Sequence, residues 1–301
     1  KMSKFLSPTA LRNWWLKASF YSLGLRSVVK DIGDGTVMNC WLPREPDPDL
    51  PNLFLIHGFG SNSLWQFHAT VRLLIDRFNI YLPDLIFFGE STSARPDRSI
   101  AFQAESVKRL AELNSVDKMV VLGLSYGGFV AYSLAAQFPE CVERVVICCA
   151  GLCLKEGDLE KGLFPAADVD QTAALLLPQT ADELRDLFCY IFVKPLRGLP
   201  SWLLQDFIRE MLSSNAKQKK ELIQAIFDNQ RLTILPKISQ PTLIVWGDQD
   251  RIFPVELAHR LKRHLGDNSE LVMIKDAGHS FIHEKPAQFH DHLKAFLSNR
   301  L

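Results

Sequence analysis

Ser125 stands in Gly123-Leu124-Ser125-Tyr126-Gly127-Gly128, which contains the pattern G-x-S-x-G. An apolar run at 118–122 precedes it and an apolar helical pattern at 126–138 follows it. In that strand–turn–helix setting the serine occupies a very tight turn that lifts its hydroxyl above the sheet. Glycine at 123 and 127 removes side chains that would clash there. A serine hydroxyl is a weak nucleophile at neutral pH. It needs a base, and the base needs a group that orients it. After such a turn the partners are expected in the chain order Ser, Asp or Glu, His.

Two later segments supply them. Trp246-Gly247-Asp248-Gln249-Asp250 closes one apolar run and Asp276-Ala277-Gly278-His279 closes the next. Both fall at C-terminal strand ends, where open parallel sheets place their sites. His279 is the expected base. Asp250 is the expected orienter, because it lies beyond the strand end and four residues before Pro254, where the loop can turn back. Asp248 follows Gly247 directly and reads as a turn residue bonded within its own loop. His57-Gly58-Phe59-Gly60 ends another apolar run, and its glycines let backbone N–H groups face a carbonyl. The amides of Phe59 and Tyr126 are the expected oxyanion hole. His57 reads as structural, since a second base has no role beside His279.

The elements that position these residues alternate. Strands are expected at 27–32 and 36–42, joined through Gly33-Asp34-Gly35, and then at 53–56, 79–82, 119–122 and 142–149. Helices are expected at 63–78, 99–113 and 126–138. Residues 152–230 show helical patterns only. Strands return at 242–246 and 270–274, with helices at 255–265 and 286–297. Continuous apolar strands alternating with helices imply a mostly parallel sheet covered on both faces. The expected organisation is an αβ core of 27–151 and 231–301, with a helical cap of 152–230 inserted after the sixth strand. Ahead of it, residues 1–26 form an amphipathic helical segment. Ser7 caps it, Pro8 opens it, and Leu11, Trp14, Trp15, Ala18 and Tyr21 share one face. That stripe either packs on the protein or lies at a membrane surface, with its tryptophans at headgroup level.

Composition excludes several classes. The 301 residues carry 34 Lys plus Arg against 34 Asp plus Glu, which gives no electrostatic footprint for nucleic acid. Six cysteines without a C-x-x-C pair support neither a disulfide scaffold nor a zinc site. The remaining histidines are scattered, and His290-Asp291-His292 points its side chains to different sides of a helix. No metal, cofactor or obligate protein partner is expected. Arg12 and Lys17 interrupt the N-terminal apolar stretch, so a cleavable signal peptide is not expected and the cytosol is the default compartment. Asn299-Arg300-Leu301 only loosely resembles a peroxisomal S-K-L address.

The serine turn, the acid and base loops and the His-Gly loop together resemble the α/β-hydrolase superfamily over nearly all of 27–301. The resemblance implies the α/β-hydrolase fold. Pro83-Asp84-Leu85-Ile86-Phe87-Phe88-Gly89-Glu90-Ser91 resembles a family loop that more often reads D-L-P-G-x-G-x-S, with Ile86 and Phe87 in place of Pro and Gly. Residues 25–31, 33–41 and Phe87-Phe88-Gly89 look like a plant branch grouped with monoacylglycerol lipases. Members that use an aspartate nucleophile, the epoxide hydrolases and haloalkane dehalogenases, are disfavoured by Ser125. Cofactor-free C–C bond hydrolases share the triad and need polar cap residues, for which Arg185, Lys194 and Arg197 are available. Ligand receptors with a slow triad are a further alternative. The cap is apolar, with Leu163, Phe164, Phe188, Phe192, Trp202 and Phe207 among its side chains. The expectation is therefore a serine hydrolase that cleaves a carboxylic ester with a hydrophobic aryl or alkyl part through an acyl-enzyme.

Overall fold

The computed structural model describes residues 7–159, 164–166, 168–232 and 235–298. Residues 1–6, Leu163 and Asn299-Arg300-Leu301 lie outside the described residues.

Among the described residues nine strands make one sheet. They are β1 (Leu25–Gly33), β2 (Thr36–Pro43), β3 (Asn52–Ile56), β4 (Asn79–Pro83), β5 (Thr92–Ser93), β6 (Met119–Leu124), β7 (Val142–Cys148), β8 (Thr242–Gly247) and β9 (Ser269–Ile274). The order is β1-β2-β4-β3-β6-β7-β8-β9, with β5 paired to β2. The β1–β2 and β2–β4 pairs are antiparallel. From β4 through β3 and β6 to β9 every pair is parallel. Burial explains the sequence texture: every residue of β6 and β8 is buried, as expected for central strands covered on both faces. β1, at one edge, alternates with exposed positions. Its hairpin turn holds Gly33, Asp34 and Gly35 at φ 91, 54 and 67, a run of left-handed conformations that glycine accepts readily. The two-residue β5 is too short to leave a pattern in the sequence, so the helical insertion follows the seventh strand rather than the sixth.

Helices cover both faces. α2 (Ser63–Leu74) packs with α12 (Pro286–Ser298), which follows the single turn α11 (Phe281–Glu284), while α3 (Ile100–Glu112) packs with α4 (Tyr126–Gln137). α10 (Val255–Leu265) covers β8 and β9. Between β7 and β8 every described element is helical: α5 (Glu156–Leu159), α6 (Val169–Leu176), α7 (Ala181–Ile191), α8 (Ser201–Phe207), a π turn at Ile208–Leu212, and α9 (Ala216–Leu232). Ala181, Leu184, Leu187, Leu204, Ile208 and Leu212 form a small core within this insertion. Leu222, Ile223 and Phe227 of α9 join the main core instead.

The N-terminal helix α1 (Pro8–Ser22) begins as its sequence requires. Ser7 Oγ accepts from the Ala10 N–H at 3.0 Å, and Pro8 stands in the first turn. Its apolar stripe faces the other way from a core stripe. Thr9, Leu16 and Phe20 are the buried residues, with Phe20 set between the rings of Trp41 and His68. Leu11, Trp14, Trp15 and Tyr21 share a face, and it is the exposed one.

Candidate active site

Three strand ends of the parallel sheet meet at one place. β6 delivers Ser125 on a turn with φ 53 and ψ −115, a conformation rare for a residue with a side chain. The turn is held by two bonds: the Ser125 N–H donates to the Cys148 carbonyl and the Gly128 N–H donates to the Ser125 carbonyl, both at 2.8 Å. A Cβ on Gly123 would overlap the Gly127 carbonyl, and one on Gly127 would overlap the Ile56 carbonyl. These two glycines are steric requirements of the turn.

β9 leads to His279 and β8 to Asp250. His279 Nδ1 lies 2.8 Å from Asp250 Oδ2, and His279 Nε2 lies 3.0 Å from Ser125 Oγ. A carboxylate only accepts, so Nδ1 carries the ring proton and Nε2 accepts from the serine hydroxyl. The second oxygen of Asp250 accepts from the N–H groups of Ile252 and Phe253 at 2.8 and 2.9 Å. Asp250 is buried and fully bonded. Asp248 is exposed, and its Oδ1 accepts from the Ala277 N–H at 3.2 Å, tying the acid loop to the base loop.

The loop after β3 lies against the serine turn. A Cβ on Gly58 would come within 2.8 Å of the Leu124 carbonyl and 3.0 Å of Ser125 Cβ. The rings of Phe59 and Tyr126 meet at 4.9 Å. Neither residue's N–H donates to another group among the described residues. Gln66 fixes this loop. Its Oε1 accepts from the Gly58 N–H at 2.8 Å, and its Nε2 donates to the Gly58 and Phe59 carbonyls. Sequence reasoning missed Gln66; the only local signal is that α2, capped by Asn62, begins just after the loop.

His57 is buried and doubly committed. Its Nδ1–H donates to the Gly58 carbonyl at 2.8 Å, and its Nε2 accepts from the Leu85 N–H at 3.0 Å. Burial lowers its pKa, against an opposing pull from Asp84. It pins two loops together and does not line the cavity over Ser125.

Cys149 lies behind the base. Its thiol donates to the His279 carbonyl at 3.4 Å, and burial raises its pKa well above the ordinary thiol value, so it stays a donor. Cys149, Asp250 and His279 are the one group of potential metal ligands found close together among the described residues. Asp250 and His279 are already bonded to each other there.

Ser125 and His279 open onto a cavity of about 570 Å³. Its floor includes Phe59, Leu124 and Tyr126. Its roof is the helical insertion, through residues such as Phe164, Leu184, Phe188, Ile223 and Phe227. Lys194 and Glu284 also reach it. Arg185 and Arg197 do not; Arg185 is bonded to Asp182, the Leu199 carbonyl and Ser201. Ile86, Phe87 and Phe88 are buried but do not line the cavity. Phe87 takes φ 74 where the family pattern has glycine, and its carbonyl accepts from Asn215 at 3.1 Å. The added bulk of this loop therefore meets the insertion and leaves the cavity alone.

Comparisons with known proteins agree with this architecture. Lipase 1 of Psychrobacter immobilis is 28% identical over 254 residues, covering 82% of this chain and 76% of the lipase. The monoacylglycerol lipase ABHD6 of Bos taurus is 25% identical over 275 residues, covering 86% of this chain and 79% of the relative. A crystal structure of lip1 from Acinetobacter baumannii AYE, provisionally a lipase, superposes with a TM-score of 0.79 at 25% identity over 95% of both chains. A family profile described as alpha/beta hydrolase fold matches residues 51–286, and with the strand order and the serine turn in place the chain belongs to that family.

Proposed function

We propose that this protein is a serine hydrolase of carboxylic esters whose acyl or alcohol part is hydrophobic. One observation carries the reading: the bonded series Ser125–His279–Asp250 opens onto a largely apolar cavity of about 570 Å³. In this reading residues 152–230 act as a cap on a core of 27–151 and 231–301. His279 Nε2 takes the proton of Ser125 as Oγ attacks the ester carbonyl. Asp250 keeps the imidazole in the tautomer that can accept at Nε2 and stabilises its charged form. The free amides of Phe59 and Tyr126 hold the oxyanion, aided by the N-terminus of α4. His279 returns the proton to the departing alcohol. It then activates the water that releases the acid and regenerates Ser125. The atoms balance with ester and water alone, so no cofactor enters.

The lipase relatives support an ester substrate, and the monoacylglycerol lipase among them suggests a lipid-derived one. The plant-like features of 25–31, 33–41 and 87–89 and a cytosolic setting belong to the same proposal. No helix among the described residues is long and apolar enough to cross a membrane. A C–C bond hydrolase would want cap cations over the serine, and only Lys194 of the three available lines the cavity. The test is a series of p-nitrophenyl esters of graded chain length, with Ser125→Ala alongside. Turnover that the variant lowers by about 10⁴-fold or more supports the proposal. No turnover on any ester, or equal turnover by the variant, overturns it.

A further inference from the structure

Helix α1 presents four of its large apolar side chains to solvent. Leu11 is 67% exposed, Trp14 65%, Trp15 42% and Tyr21 44%. With 3.6 residues per turn these four and Ala18 span an arc of about 120° opposite Leu16 and Phe20. Arg12 and Lys17 stand at the two edges of that arc, and the helix carries no acidic residue. Apolar surface of this kind, concentrated on one face and rimmed by cations, is unfavourable in water unless something covers it.

The face is joined to the cavity. Ser7 Oγ and the Thr9 N–H donate to Asp206 of α8 at 2.9 and 3.0 Å. Trp202, one turn before Asp206 on the same side of α8, is 63% exposed. The Trp65 indole N–H donates to Asn13 of α1 at 3.2 Å, and its ring meets Phe207 at 5.6 Å. Trp65 and Phe207 both line the cavity, as does Leu196, which is 56% exposed. Beside Leu196, Lys194 and Arg197 are exposed and make no ion pair among the described residues.

We propose that the outer face of α1, with Trp202 and Leu196, docks on an anionic lipid bilayer and sets the mouth of the cavity at headgroup level. Tryptophan and tyrosine favour that depth, and Arg12, Lys17, Lys194 and Arg197 complement a negative surface. The net charge of the whole chain is zero, so this attraction is local to one face. A symmetric dimer through the same face would gather the cations of both copies into one interface with no acidic residue of α1 to pair them, which disfavours a second chain as the occupant. That the lipid also delivers the substrate rests on the ester-hydrolase reading; docking itself does not.

The experiment is flotation of the chain with phosphatidylcholine vesicles, with and without phosphatidylserine. The wild type is expected to float with the phosphatidylserine vesicles and to release as salt rises. The double variant Trp14→Ser, Trp202→Ser is expected to lower the bound fraction by about tenfold or more. Its melting temperature and its turnover of a dissolved short-chain ester should stay at wild-type values, since both residues are exposed and neither touches Ser125. Ser125→Ala should float like the wild type, so loss of hydrolysis and loss of docking are read separately. Absence of flotation, or flotation of the double variant equal to the wild type, overturns the proposal. So does a dimer of the wild type that the double variant abolishes without lipid.

Discussion

What separates Asp250 from Asp248 is the set of atoms each has already committed. Asp250 gives one oxygen to two backbone amides and the other to His279 Nδ1, so its carboxylate is aimed and cannot rotate away. Among the described residues the Asp248 carboxylate holds only the Ala277 N–H, through a single oxygen. An asparagine keeps one carbonyl oxygen and replaces the other with a donor. At 248 that oxygen can still serve Ala277, and turnover should stay within a few-fold of wild type. At 250 the new NH₂ either faces Nδ1, forcing the wrong tautomer, or faces the amides of Ile252 and Phe253. Asp250→Asn should therefore lower kcat by roughly 10⁴-fold. Steady-state kinetics of the two variants on one ester decide it, and the reverse ranking would remove Asp250 from the proposed mechanism.

Elements matter here through the bonds that cross between them. The end of α7 is tied to both loops that carry the acid and the base. Glu284 accepts from the Gly278 N–H at 2.7 Å with one oxygen and from the Val193 N–H at 2.9 Å with the other. The Ser280 N–H donates to the Ile191 carbonyl at 2.9 Å, and Arg251 donates to the Cys189 carbonyl at 3.0 Å. Glu284 thus positions His279 through the backbone one residue before it. Glu284→Ala leaves two amides without partners and frees the base loop, so kcat should fall by about 10–100-fold. Glu284→Gln keeps one acceptor and should recover much of the loss. A change in KM alone, with kcat intact, would mean that Glu284 shapes the cavity and does not place the histidine. None of this was legible in the sequence, because Glu284, Gln66 and Cys149 act through side-chain bonds to the backbone of other loops, which leave no periodic trace. The strands and the serine turn were legible because buried central strands read as continuous apolar runs. What the stripe of α1 meets was open in the sequence for a related reason: periodicity reports that a helix has an apolar face, not what that face meets.

At the scale of the whole molecule, an insertion with its own small core is seated on a larger one, and the seam runs beside the cavity. Lys219 of α9 is buried in that seam with no carboxylate partner among the described residues. Its Nζ lies 5.1 Å from the Phe88 ring and donates to the Leu212 carbonyl at 3.4 Å. Burial pushes its pKa down from 10.5 to about 8. The sign follows from proton counting. Between pH 8 and 10.5 the unfolded chain keeps the proton that the folded chain has released, so stability rises with pH across that window. Below pH 8 both states are charged, and the folded state bears the full desolvation cost. Lys219→Met removes that cost and also loses the ring and carbonyl contacts, each worth about 1 kcal/mol. The cost is the larger quantity, at about 1.4 kcal/mol for each unit of the shift. A net stabilisation on the order of 1 kcal/mol at neutral pH is expected, with melting raised by a few degrees. Thermal unfolding of both proteins from pH 7 to 10 should show the variant ahead at pH 7 and the gap closing as the wild-type lysine discharges. A variant that melts lower at pH 7 would mean instead that Phe88 and Leu212 hold the charged lysine well enough to make it the clasp of the seam.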